Sequence, residues 1–211
     1  MTATLAVIAK APVPGRVKTR LCPPCSPEEA AAVAEAALRD TLSAVRATPV
    51  ARRVVVLDGE PGEWLGPGFD VVAQRGDGLD ERLEHAFATL GAPTLIIGMD
   101  TPQVTPELLT AALRALSMGP AVLGPARDGG YWSIGLRHLC PGAVRGVPMS
   151  EPDTYAAQHH RLRDLGREPL VLPALADVDD IVGARAVAAG MPAGSAFARA
   201  VASLGGTAVA A

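Results

Sequence analysis

The 211-residue sequence predicts an α/β fold of three layers, with helices on both faces of a mostly parallel central sheet. Short apolar runs such as TLAVIA (4–9), RVVVL (53–57) and PTLIIGM (93–99) alternate along the chain with segments of helical period. Runs that are apolar throughout, rather than at every second residue, suit strands covered on both faces, and strand–helix alternation builds parallel sheets through crossover connections. No linker-like stretch divides the chain and no internal repeat is visible. The expectation is therefore one domain over 1–211, with its core in about 4–190 and an alanine-rich tail beyond Gly190.

The elements follow in order. Residues 4–9 form the first buried strand. Residues 26–47 are helical, with Ser26 as N-cap, Pro27 at the first helical position and Glu29 placed to close a capping box. Residues 53–57 form a β-branched strand that stops at Asp58-Gly59, and FDVVA (69–73) a shorter one. Residues 79–90 place Leu79, Leu83, Ala86, Phe87 and Leu90 on one helical face. A strand at 93–99 follows, then a helix that Thr105 and Pro106 start and that runs to about Ser117. Strands are expected at 120–124, 131–136 and 168–172, and helices at 153–165 and 179–189. The tail has room for a last helix before Gly205-Gly206 breaks it.

Composition excludes several classes of function. The chain is 49% hydrophobic and 19% charged, which is far from a disordered composition. Its net charge of −3 and lack of a basic stripe argue against a nucleic-acid binder, and 3% aromatics give no base-stacking platform. No stretch approaches the roughly 18 uninterrupted apolar residues of a membrane span, and the N-terminal run meets Lys10 and two prolines at once, unlike a secretion signal. Cys22, Cys25 and Cys140 make no disulfide framework, so the expected compartment is the cytoplasm. Cys22-Pro-Pro-Cys25 has the spacing of a redox pair or half a zinc site. No second pair at suitable spacing accompanies it, so it reads as a chance occurrence. His85, His159 and His160 read as surface residues on helices.

In an open α/β sheet, ligands bind beyond the carboxyl ends of the strands. After the first strand the chain reads KAPVPGRVKTRL. This proline-stiffened loop carries Lys10, Arg16, Lys18 and Arg20, and Pro14-Gly15 exposes backbone that can cradle phosphate. It is neither a Walker loop nor a dinucleotide fingerprint. After later strands come carboxylates: Asp100 at the end of the most hydrophobic strand, Asp128 in the turn Arg127-Asp128-Gly129-Gly130, and Asp177 and Asp179. A carboxylate at the end of a buried strand is costly unless paired or metal-bound. An i, i+2 pair in extended chain points both side chains one way, as a shared cation requires. Asp179 could equally cap the following helix, and Asp128 could simply make a turn. The segregation of cations from carboxylates suits a polyphosphate held with Mg²⁺ or Mn²⁺, ions that take oxygen ligands.

Taken together, AVIAKAPVPGRVKTRL, QRGDGLDERL, IIGMDTPQVTPELL, GPARDGGYWSIGL and ADVDDIVGA, in this order, resemble the bacterial glycosyltransferase-like proteins once grouped as a domain of unknown function, often named as selenium- or arsenosugar-associated transferases. The resemblance runs from about residue 4 to about 190. It implies a GT-A fold, the nucleotide-diphospho-sugar transferase architecture. The chain is also similar to the guanylyltransferases of molybdenum-cofactor and deazaflavin-coenzyme assembly, and the lysine-x-arginine-leucine that the deazaflavin enzymes carry after the first strand is matched by Lys18-Thr19-Arg20-Leu21.

The resemblance implies nucleotide phosphates at Arg16, Lys18 and Arg20, to which the loop reading adds Lys10, Pro14 and Gly15 as nucleotide-binding candidates, and it implies nucleoside contacts at Gln74 and Asp80. It implies a metal at Asp100, Asp177 and Asp179, and an acceptor side shaped by Asp128, Gly129, Gly130 and Tyr131. Asp100, Asp128 and Lys18 are the candidate catalytic residues. Asp180 stands where the family carries threonine, Thr101 follows Asp100 where a small residue or cysteine is common, and the segment 150–154 matches only loosely. The leading expectation is a metal-dependent glycosyltransferase that moves a sugar from a nucleoside-diphosphate sugar to a small acceptor. The alternatives are a nucleotidyltransferase that joins a nucleoside triphosphate to a phosphorylated small molecule with release of pyrophosphate, and a nucleotide-binding protein without catalysis. The implied partners are a nucleotide or nucleotide-sugar donor and a small-molecule acceptor, with neither nucleic acid nor membrane. The alanine-rich tail is a candidate surface for a second copy in a homodimer.

Overall fold

The computed structural model describes residues 2–204. Its strands are β1 (Thr4–Lys10), β2 (Arg52–Asp58), β3 (Asp70–Ala73), β4 (Thr94–Gly98), β5 (Ala121–Pro125), β6 (Tyr131–Leu136) and β7 (Pro169–Val171). The helices between and after them are α1 (Pro27–Ala47), α2 (Leu79–Leu90), α3 (Pro106–Met118), α4 (Thr154–Asp164), α5 (Ile181–Ala189) and α6 (Ala196–Ser203). One sheet holds all seven strands in the order β3-β2-β1-β4-β6-β5-β7. β1 runs parallel to β2 and β4, and β7 runs parallel to β5.

Strand β6 is the exception, antiparallel to both β4 and β5. Only residues 126–130 separate it from β5, which is too short a connection for a parallel crossover. The register shifts at Gly124/Pro125, where Tyr131 and Ser133 oppose Pro125 and Gly124. Trp132 is thereby carried over Gly124, where any Cβ would lie 2.5 Å from the indole, and its Nε1 donates to the Pro173 carbonyl at 2.9 Å.

Alternate residues of each buried strand feed two cores. Leu5, Val7, Val55, Leu57, Leu95 and Ile97 pack with Leu38 and Leu42 of α1 and Leu109 and Leu113 of α3. Ala6, Val54, Val56 and Ile96 face the other way, against Leu83, Ala86 and Phe87 of α2 and Leu162 of α4. A third cluster joins the outer side of α1 to Phe197 and Val201 of α6 and Ala184 and Val187 of α5. The apolar side of the tail helix is therefore buried within the chain. Gly205-Gly206, expected to break that helix, lies outside the described residues.

The helix starts follow capping chemistry. Ser26 and Glu29 close the reciprocal capping box, with Pro27 in the first turn, and Thr105 accepts from the Leu108 amide at 3.2 Å. The helix expected over 179–189 begins two residues later. Its N-cap is Asp180, which accepts from the Gly183 amide at 2.7 Å. Asp180 thus does the capping that a threonine at this position could also do, and Asp179 is left free of that task.

Candidate functional site

A cleft of about 730 Å³ opens at the carboxyl ends of β1, β4 and β5. Backbone pairing assembles its acidic side. The end of β5 extends into a parallel bridge between Ala126 and Leu175, with the Arg127 amide bonded to the Leu175 carbonyl at 2.9 Å. Asp128 and Asp177 each stand two residues beyond that bridge and come together. The Val178 amide donates to the Asp100 carbonyl at 3.1 Å and ties the same segment to the end of β4.

Asp128, Asp177 and Asp179 can each bring one oxygen within 4.8 Å of the others. Burial, then the charges of Asp128 and Asp179, push the Asp177 carboxyl up from 3.8 to about 6. Three hard oxygen donors that repel one another fit a small divalent cation such as Mg²⁺ or Mn²⁺ and have no thiol or imidazole to favour a softer ion. Asp128 also makes its turn, accepting from the Gly130 amide at 2.8 Å, so the turn reading and the cleft reading hold together. Asp100 is not part of this trio. Its Oδ1 lies 2.6 Å from Lys18 Nζ.

The cationic loop faces these carboxylates. Lys10, Arg16, Lys18 and Arg20 all line the cleft. Arg20 pairs with Asp179 at 2.8 Å, both side chains being well exposed. Lys18 is only 7% exposed and also donates to the Val178 carbonyl, so its ammonium is held among the acidic segments. Pro14 and Gly15 form the exposed tip of the loop and do not line the cleft.

The nucleoside side differs from expectation. Gln74 lines the cleft, but its amide nitrogen donates to the Ala9 and Val56 carbonyls at 2.8 and 3.0 Å. Its oxygen accepts from Arg82 at 3.3 Å, so the side chain fastens β1 and β2 to α2. Asp80 does not line the cleft. Its carboxylate accepts from the Gly146 amide at 2.8 Å, because α2 turns that residue toward the 140–146 loop. Asp77 and Arg82 line this wall instead. Arg82 was legible in principle, since Leu79, Arg82 and Leu83 form one i, i+3, i+4 face.

On the side expected to take an acceptor, Gly130 and Tyr131 line the cleft with Ser150, Glu151, Pro152 and Thr154. Gly129 lies behind the wall. With φ +97° it brings the turn so close to the Pro152 carbonyl that a Cβ would sit 2.0 Å from its oxygen. Burial, with the charge of Asp80, holds the Tyr131 hydroxyl far above its ordinary pKa, so it stays protonated. That hydroxyl donates to Gln158 Oε1 at 3.4 Å. Thr101 and Ser133, each 1% exposed, also border the cleft, and their hydroxyls lack partners among the described residues. The segment 149–154 and the two hydroxyls reach the cleft only through tertiary packing. No histidine lines the cleft. Cys25 is buried, and burial, then Glu29 and Cys22, raise its thiol pKa and make it a poor nucleophile.

Comparison with known proteins adds four likenesses. The family described as "Uncharacterized protein conserved in bacteria (DUF2064)" matches residues 41–151, just over half of the chain. A phosphoenolpyruvate guanylyltransferase of Salinispora arenicola is 37% identical over 127 residues, 57% of this chain and 58% of that protein. A protein of the same name from Geodermatophilus obscurus is 35% identical over 99 residues, 44% of this chain and 46% of that protein. The chain thus matches about half the length of these curated relatives. A Desulfovibrio desulfuricans G20 crystal structure, provisionally named a nucleotide-diphospho-sugar transferase, superposes with a TM-score of 0.85 at 28% identity, over 96% of this chain and 98% of that one. The fold is therefore that of the nucleotide-diphospho-sugar transferases.

Proposed function

The chain belongs to the bacterial DUF2064 family, and on that footing we propose that it is a metal-dependent nucleotidyltransferase, joining a nucleoside triphosphate to a small phosphorylated acceptor with release of pyrophosphate. The observation that carries this reading is one cleft lined by four cations of the β1 loop and by the Asp128, Asp177 and Asp179 carboxylates. Four cations answer a triphosphate, whose charge exceeds that of a diphospho-sugar. The names of the guanylyltransferase relatives support guanosine triphosphate as donor and an acceptor of the phosphoenolpyruvate kind.

In this mechanism an oxygen of the acceptor phosphate attacks the α-phosphorus, and the bond from that phosphorus to the bridging oxygen of the β-phosphate breaks. Lys10 and Arg16 bind the β- and γ-phosphates, and Lys18 reaches the α-phosphate as charge shifts to the leaving pyrophosphate. Asp177 and Asp179, with Asp128, would hold Mg²⁺ or Mn²⁺, which when bound supplies charge neutralisation and orients the phosphates. Gly130 and Tyr131 with the 150–154 wall confine the acceptor. Positioning and fixed charge supply most of the acceleration, since phosphoryl transfer asks for little covalent chemistry from a protein.

The second reading is sugar transfer, the leading expectation from sequence. It is favoured by the name of the Desulfovibrio protein, which matches nearly the whole chain. Incubation with guanosine triphosphate, phosphoenolpyruvate and Mg²⁺ separates the two. Pyrophosphate that appears only with the acceptor supports nucleotidyl transfer. No pyrophosphate with any triphosphate, together with a nucleoside diphosphate released from a nucleotide sugar, overturns it in favour of sugar transfer.

A further inference from the structure

The cations of the β1 loop are not equivalent. Lys10 and Arg16 make no salt bridge among the described residues, and Arg20 makes an exposed one of the kind that contributes little. Lys18 alone is withdrawn from solvent. It is the N-cap of a single 3₁₀ turn over Thr19–Leu21 and adopts φ 48°, ψ 36°, a left-handed conformation unfavourable for a lysine. That backbone turn directs the side chain into the acidic segments. There Nζ pairs with Asp100 Oδ1 at 2.6 Å and donates to the Val178 carbonyl, between Asp177 and Asp179. Asp100 keeps 43% of its side chain exposed, so the partner lies at the cleft surface while the lysine lies beneath it. An ammonium so held has two of its three donors committed and keeps only one for a phosphate.

We propose that Asp100 is a positioning residue acting through Lys18: it holds the ammonium against the acidic segments, and nucleotide phosphates must draw the lysine from it. This inference rests on the nucleotide-binding reading of the cleft. Its consequence is that Asp100 lowers nucleotide affinity, because only the fraction of molecules with Lys18 released binds phosphate fully. If Asp100 were a metal ligand alone, its removal in the absence of metal would relieve only general repulsion, by an amount independent of Lys18.

The test is a double-mutant cycle read by guanosine triphosphate binding in EDTA, using calorimetry on wild type, Asp100→Asn, Lys18→Met and the double variant. Both substitutions nearly preserve shape, and a thermal melt establishes that each variant is folded. Should Asp100→Asn not fold, Asp100→Ser takes its place in the cycle. Asp100→Asn is expected to tighten metal-free binding roughly tenfold in the presence of Lys18, and less than about twofold in the Lys18→Met background. An equal gain in both backgrounds means relief of general repulsion and overturns the latch alone, as does no gain in either. If none of the four proteins binds any nucleoside triphosphate, with EDTA or with Mg²⁺, both the latch and the nucleotide-binding reading fail.

Discussion

Replacing Asp177 by asparagine should stabilise the protein while removing one carboxylate of the proposed metal site. The Asp177 carboxyl rises from 3.8 to about 6 because burial and the charges of Asp128 and Asp179 oppose its ionisation. At about 1.4 kcal/mol for each tenfold change in proton affinity, that rise corresponds to about 3 kcal/mol at full strength. The side chain is half-buried, so solvent screening reduces this to about 1.5 kcal/mol. Such a gain raises the melting temperature of a chain this long by about 3–6 °C. The native state holds its proton more tightly than the unfolded chain, so the cost of ionised Asp177 grows as pH rises from about 4 through 6. The advantage of Asp177→Asn is therefore full at pH 8 and vanishes below about pH 4. Thermal melts in EDTA at pH 8 and pH 4 measure both ends of the window. A variant less stable than wild type at pH 8, or a gain equal at the two pH values, would refute the electrostatic account. In parallel melts with Mn²⁺, wild type should gain stability and the variant should gain much less if the proposed site holds the ion in the native state.

Two further outcomes follow from the acceptor wall. Gly129→Ala meets the Pro152 carbonyl at 2.0 Å and requires φ +97° of an L-residue, so it should cost about 2–4 kcal/mol in a urea melt, whereas Gly130→Ala should cost less than about 1 kcal/mol. Glu84 accepts from the Gly142, Val144 and Arg145 amides at 2.6, 3.1 and 3.3 Å and thereby anchors the loop leading to the wall. Glu84→Ala should cost about 1–3 kcal/mol, and should raise the acceptor KM more than the nucleotide KM if the wall confines the acceptor. Proteolysis within 140–146 and initial-rate kinetics measure these two effects.

The local features were legible because their causes are local. Ser26-Pro27-x-Glu29 dictates a helix start wherever the helix later packs, and the apolar β-branched runs have no other economical burial than a strand covered on both faces. The cations of the β1 loop lie within eleven residues, so their convergence needed only one turn of chain. Asp77 and Arg82 were the nearer miss, since helical period alone assigns Arg82 to the face of Leu79.

What tertiary structure alone decided is which charges meet. Asp128 and Asp177 are 49 residues apart, and only the parallel bridge between Ala126 and Leu175 brings them to one place. The sequence offered Asp100 to the same cation as Asp177 and Asp179, with equal formal charge and a similar position after a strand. In the folded chain the left-handed turn at Lys18 sends an ammonium to Asp100, while Asp180 takes over the capping of α5 and leaves Asp179 to the cleft. Likewise Gln74 and Asp80 had the chemistry of nucleoside contacts, but carbonyls and amides from segments far away in sequence had already claimed them. Propensity and period fix an element from its own residues. A carboxylate's partner depends on which of several distant groups the packed sheet brings within about 3 Å, and no local pattern encodes that choice.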